Sequence, residues 1–178
     1  MMTVTVEERT LINEIILKNQ ICYVGMIDSD GMPYVIPMNF GYQDDIIYLH
    51  SAQEGGSIKA LAKNPNVCIT FCTEPVLTYQ NKEVACSYRV KGSSVICRGR
   101  VVFEENYEEK IKALDIIMQQ YTERKFTYSI PSINNVRIWK IEIESVSTKV
   151  LAYHIRTHVT IKISRSFRSF TFCLAKDN

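Results

Sequence analysis

The 178-residue chain is 46% hydrophobic and 22% charged, with a formal net charge of +2, a balance that supports one domain with a full core and excludes fibrous and disordered classes. The charge is uneven: residues 151–178 carry five Lys or Arg against one Asp, so the body is slightly acidic and lacks the basic field of a nucleic-acid binder. No apolar stretch approaches the roughly 20 residues that span a bilayer, no leader pattern opens the chain, and six cysteines set mostly in apolar runs read as reduced thiols of a cytoplasmic protein.

Thr5 followed by Glu8 is a capping-box pattern, and Leu11, Ile12, Ile15 and Ile16 fall at helical spacing, which predicts an amphipathic helix over 6–18. ICYVGMID and PYVIPMNFGY flank Ser29, Asp30 and Gly31, a hairpin signal between two antiparallel strands. Asp44-Asp45 predicts another turn before the strand IIYLH, and IKALAKN a short helix stopped by Asn64 and Pro65. VCITFC is a buried strand. A polar interval at 74–83 leads into ACSYRVKGSSVICRGRVVFE, long for a single strand, whose Gly92 and Gly99 suit a bend, a bulge or a close backbone approach.

NYEEKIKALDIIMQQY has carboxylates in its first turns and Tyr107, Ile111, Leu114 and Met118 on one face, which predicts a packed helix. RIWKIEIESV alternates Trp139, Ile141 and Ile143 against Lys140, Glu142 and Glu144, the pattern of a half-buried strand. Six or so strands joined mainly by hairpins, with few helices, predict a mainly β fold: an antiparallel barrel with flanking helices rather than a doubly wound sheet.

The join between IIYLH and IKALAKN is richer than a turn needs. It carries His50, Ser51, Gly55, Gly56 and Ser57. Unpaired N–H groups and partial positive charge at a helix N-terminus hold an anion, and nearby hydroxyls add to the grip. Equally, Ser57 can simply cap the helix.

DGMPYVIPMNF, IYLHSAQEG, IKALAKNPNVCITF, SSVICRGRV and NYEEKIKAL follow one another in a specific order over residues 8–150. In these blocks the chain resembles the FMN-binding split-barrel proteins related to pyridoxamine 5′-phosphate oxidase, and among them the 5-nitroimidazole resistance proteins. The resemblance implies a six-stranded split barrel over 1–150 and a homodimer with the flavin in a cleft between two subunits. It also implies a ring lying against Pro37, Met38 and Asn39, and a phosphate at the loop from His50 to Ser57, with Gly55 and Lys59. Ser94 matches a family serine. Relatives commonly carry a lysine where this chain has Ser57, so the phosphate lacks a cation unless Arg98 or Arg100 substitutes, and FAD stands as the alternative to FMN.

His50 beside a flavin is suited to donate a hydrogen bond or to act as acid or base near neutral pH; alone, a His ending a strand is an ordinary boundary residue. Three functions follow. One is a flavin-dependent oxidoreductase passing electrons to a small-molecule acceptor, nitroimidazoles included. The others are a non-catalytic flavin or haem binder, and a cofactor-free interaction module. No metal site is expected. The tail beyond 150 interleaves Arg165 and Arg168 with Phe167, Phe170 and Phe172 and reads as an extra strand or arm rather than a nucleic-acid contact.

Overall fold

The computed structural model describes residues 3–5 and 7–151; the basic extension lies outside them from residue 152 onward. The elements are β1 (Thr3–Thr5), α1 (Arg9–Leu17), β2 (Cys22–Ile27), β3 (Pro33–Met38), β4 (Gly41–Gln43), β5 (Ile46–Ala52), α2 (Gly56–Lys63) and β6 (Asn66–Cys72), followed by β7 (Val76–Thr78), β8 (Arg89–Lys91), β9 (Ser93–Glu104), α3 (Tyr107–Gln119), α4 (Ile130–Asn134) and β10 (Val136–Leu151). The main sheet runs β3-β2-β6-β9-β10-β5-β4, with β1 added on β10, and its pairings are antiparallel. β3 and β4 stand at the two ends of that path, yet only Asn39 and Phe40 separate them in sequence. One bent segment therefore closes the sheet on itself, and the mainly β barrel it makes has six strands.

Alternation builds the core. Val24, Leu49, Ile69, Val95 and Ile141 are inward and buried, and Ile12, Ile15 and Ile16 of α1 with Ala60 and Leu61 of α2 join the same cluster. Each large side chain so buried stabilises by about 1.5–3 kcal/mol. Phe40 packs edge-on against Phe71 at 4.9 Å between ring centroids.

The hairpins form where expected: Asp44 and Asp45 take φ of 51° and 64°, the left-handed pair of a two-residue turn. Arg9 and the Tyr42 hydroxyl both donate to Asp45 Oδ1, and Ile143 N–H donates to the Asp45 carbonyl at 3.1 Å. The capping box does not form. Thr5 is committed to a ladder opposite Lys149, and Glu8, with no side-chain cap bond, takes the N-cap of α1.

The expected face of α3 is also rotated. Lys110, Ala113 and Ile117 are the buried residues, whereas Tyr107 is 38% exposed. Gly41 lies directly under the backbone of Ile116 and Ile117, so the small Ala113 and the snorkelling Lys110 face inward where a bulkier stripe cannot.

The long stretch from Ala85 divides into a 3₁₀ turn, β8 and β9, with Gly92 at the break. β7 and β8 pair with each other outside the barrel, and α4 appears in a segment without helical periodicity. In β10 the alternation holds as far as Ile143. There the register jumps from Ile143↔Gly99 to Ser145↔Arg98, leaving Glu144 as the extra residue of a bulge.

Candidate functional site

β5 carries Leu49 and Ser51 toward the barrel interior, where Trp139 is fully buried and its Nε1 donates to Ser51 Oγ at 3.0 Å. Ser51 Oγ in turn donates to the Ala52 carbonyl. The hydroxyl expected to face a cofactor thus anchors the one indole of the chain. His50 points the other way, sharing a face with its cross-strand partner Ile138. Its Nδ1 is buried without a hydrogen-bond partner.

The chain then turns into α2 through Gly55, whose φ of 146° lies in territory that only glycine enters cheaply. Gly55, not Ser57, is the N-cap, and no side-chain hydrogen bond caps α2. Ser57 therefore occupies the second helical position, beside N–H groups with no acidic neighbour in the first turn. A Cβ added at Gly55 or Gly56 meets nothing within 4 Å, so the loop faces open space. Lys59 is exposed, its N–H bonded to the Gly55 carbonyl.

Pro37, Met38 and Asn39 run along the end of β3 into the closure. β4 pairs with β5 from Gly41↔Tyr48 onward, and just before it the Phe40 N–H leaves the ladder and donates to the Tyr121 hydroxyl at 2.9 Å. The end of β5 leads through Gly55 directly into α2, and the end of β3 leads through Asn39 and Phe40 into β4, the strand paired with β5. Ser94 stands apart from these strand ends. Ser94 pairs with Lys149, whereas His50 pairs with Ile138, and the intervening stretch of β10 is about 35 Å of strand path. Ser94 instead lines a cavity of about 280 Å³ with Cys72, Thr73, Val90, Lys91 and Lys149. Arg98 and Arg100 are exposed on the outer face of β9, opposite Cys68 and Asn66.

Burial lowers the His50 pKa, so near neutral pH the imidazole is uncharged and offers one donor and one acceptor. Its ordinary value is about 6.5, so below that pH the unfolded chain takes up a proton the folded chain refuses. Stability from this group is full above about pH 6.5 and declines as pH falls toward the lowered folded pKa. Melts between about pH 8 and 5 are expected to show that decline and His50→Gln to flatten it. A slope indifferent to the substitution would assign the effect elsewhere. Asp45 does not enter this window: burial opposes its ionisation, but hydrogen bonds from Arg9 and Tyr42 win and hold its carboxyl below the usual 3.8.

The profile of the family described as pyridoxamine 5′-phosphate oxidase matches residues 8–150. The chain belongs to the pyridoxamine 5′-phosphate oxidase family. Within its fold, a crystal structure from Bacteroides thetaiotaomicron VPI-5482, provisionally described as a 5-nitroimidazole antibiotic resistance protein, is 48% identical over 84% of this chain and 87% of that one, with a TM-score of 0.77. The flavocytochrome Anf3 of Azotobacter vinelandii shares the fold at 21% identity, TM-score 0.73, over 84% of this chain and 70% of that one. So does an FAD and haem binding protein of Mycobacterium smegmatis, at 15% identity and TM-score 0.71, over 82% and 72%. No curated protein matches the sequence.

For a pyridoxamine 5′-phosphate oxidase relative, the residues that sequence reasoning overlooked at this site are Gln53, Glu105, Lys110 and Arg137. Gln53 Nε2 donates to the carbonyls of Asn134 and Val136, at 2.8 and 2.9 Å, and tethers the loop before α2 to the start of β10. Lys110, buried to 7% exposure, reaches the Val136 carbonyl and Glu105. Only Arg137 left a trace in the sequence: it falls on the same parity as Trp139 and Ile141, a charge on the apolar side of a strand. Among the described residues no helix is long and apolar enough to cross a membrane.

Proposed function

We propose that this chain is an FMN-binding oxidoreductase that works as a homodimer and passes electrons from a reduced nicotinamide to a small acceptor, with nitroimidazole-type compounds as the first class to try. Family membership is the observation that carries the proposal, and the 48% identical relative directs the choice of acceptor. The residues fit a flavin. A buried imidazole nitrogen without a partner leaves a hydrogen-bonding group for a ligand to satisfy, and the strand that carries it runs on into an uncapped helix start with an open glycine loop.

Bound flavin supplies two-electron transfer between donor and acceptor. Around it, the first N–H groups of α2 and the Ser57 hydroxyl hold the phosphate, while Asn39 and the backbone of Met38 bond the polar edge of the ring. Pro37 interrupts the hydrogen-bonding edge of β3 and leaves room beside it. His50, neutral at physiological pH, donates a hydrogen bond to ring or acceptor, or moves a proton, without adding charge to the site.

Under this reading Ser94, about 35 Å of strand path from His50, serves the flavin of a second copy related by a two-fold axis. FAD, whose adenylate half adds contacts, is the cofactor to test beside FMN.

The absorption spectrum of the purified protein decides first. The expected result is a flavin envelope that NAD(P)H bleaches and a nitro-aromatic acceptor restores, on a species sedimenting as a dimer. A protein that stays colourless after incubation with FMN and FAD would end the proposal, a Soret band would replace it with a haem carrier, and stoichiometric flavin on a monomer would remove the shared cleft.

A further inference from the structure

Arg137 is the second residue of β10, directly across from Ser51, and its side chain reaches Gln53 in the loop that leads into α2. Three contacts hold it there. Its Nε donates to Gln53 Oε1 at 3.1 Å, its guanidinium sits 5.0 Å from the centre of the Phe103 ring, and Nη1 stands 3.4 Å from Glu105 Oε1. Gln53 is also the residue that ties the loop to Asn134 and Val136. The guanidinium and the loop therefore move as one piece.

The charge around this piece is not balanced. Glu105 is the anion both of Arg137 and of Lys110, whose Nζ lies 3.6 Å from the other carboxylate oxygen. Two cations thus share one carboxylate, and that carboxylate is 64% exposed while the Arg137 side chain is only 27% exposed. A half-buried arginine whose partner is mostly in water is held in place but weakly neutralised. Of its five N–H donors, Nε is spent on Gln53; Nη2 remains, in a planar fork suited to phosphate oxygens.

We propose that Arg137 is the cation of the cofactor-phosphate site, supplying from the start of β10 the charge that Ser57 does not supply from the helix. The proposal rests on the assignment of FMN to this loop made above. It offers a cation tied to the loop itself through Gln53, whereas among the described residues no contact ties Arg98 or Arg100 to that loop. It also gives Gln53 and Phe103 a role, since they fix the guanidinium's plane before the phosphate arrives, so that little rotamer freedom is lost on binding. Glu105 then acts as a competitor for the same donors.

The test compares FMN with riboflavin, which has the same ring and no phosphate, by titration into flavin-free full-length protein. Wild type is expected to prefer FMN at least tenfold. Arg137→Gln is expected to lose tenfold or more in FMN affinity with riboflavin unchanged. Glu105→Gln, with its fold checked by the melting temperature because buried Lys110 loses its anion, is expected to strengthen FMN severalfold, again with riboflavin unchanged. An FMN-to-riboflavin ratio that ignores both substitutions, or a wild type without preference, would overturn the role of Arg137 while leaving the flavin assignment standing. Failure of wild type to bind either flavin would bring down that assignment and this proposal together.

Discussion

Gly99→Ala is expected to lower the melting temperature by roughly 6–12 °C, the equivalent of about 3 kcal/mol in a domain of this size. A Cβ at this position would overlap the Glu142 carbonyl oxygen and stand 2.9 Å from Ile141 Cγ2. Neither neighbour is free to yield. The carbonyl belongs to β10 just before the bulge at Glu144, and Ile141 is 1% exposed in the core. β9 and β10 form the most extensive pairing in the barrel, so relief by moving either strand breaks ladder bonds on both sides of the bulge. The bulge also lies between two candidate site residues: His50 is paired to β10 before it and Ser94 after it, so under the proposed function the bulge sets how one copy presents the two. Gly99→Ala is therefore expected to weaken flavin retention beyond what the fall in stability accounts for. A melting temperature equal to that of wild type would mean that the strands separate at little cost and that the bulge is not a rigid joint.

Such joints explain what was legible in the sequence. Local signals carried well. Asp44-Asp45 named its turn because two left-handed residues in a row tolerate few alternatives, and VCITFC named a buried strand by its apolar run, of which Val67, Ile69 and Phe71 face the core. The loop from His50 to Ser57 stood out by composition. What failed were features decided by non-local partners. Thr5 reads as a cap until β10 claims its backbone, α3 reads by its own periodicity until Gly41 admits its backbone, and β10 keeps one parity until Glu144 is squeezed out opposite Gly99. The bond from Trp139 to Ser51, between residues 88 apart, was equally beyond local reading. Arg137 shows the same limit from the other side. Its parity marked it as unusual, but only the folded chain reveals that Gln53, Phe103 and Glu105 meet around it.

The Ser57 series is expected to move stability and flavin affinity in opposite directions. With Gly55 as the N-cap and Ser57 already helical, Ser57→Ala removes no cap, and alanine's higher helix propensity is expected to hold or slightly raise the melting temperature. Under the proposed function the same change deletes a hydroxyl contact to a charged phosphate, a loss of about 1.5–3 kcal/mol, or roughly ten- to a hundredfold in FMN affinity. Ser57→Asp sharpens the contrast. A carboxylate in a first turn that holds no other acid is favoured by the helix dipole by about 0.3–1 kcal/mol, so this variant is expected to be the most stable of the series. Facing the phosphate, the same carboxylate repels it and competes for Arg137, making FMN binding the weakest. Ser57→Lys reverses both signs: a cation at a helix N-terminus is disfavoured, yet it adds to Arg137 and tightens FMN. Riboflavin affinity is expected to stay level across all three. Melting temperatures and FMN titrations on the same preparations separate this pattern from a purely structural serine, for which affinity would follow stability and the Asp variant would bind as well as wild type.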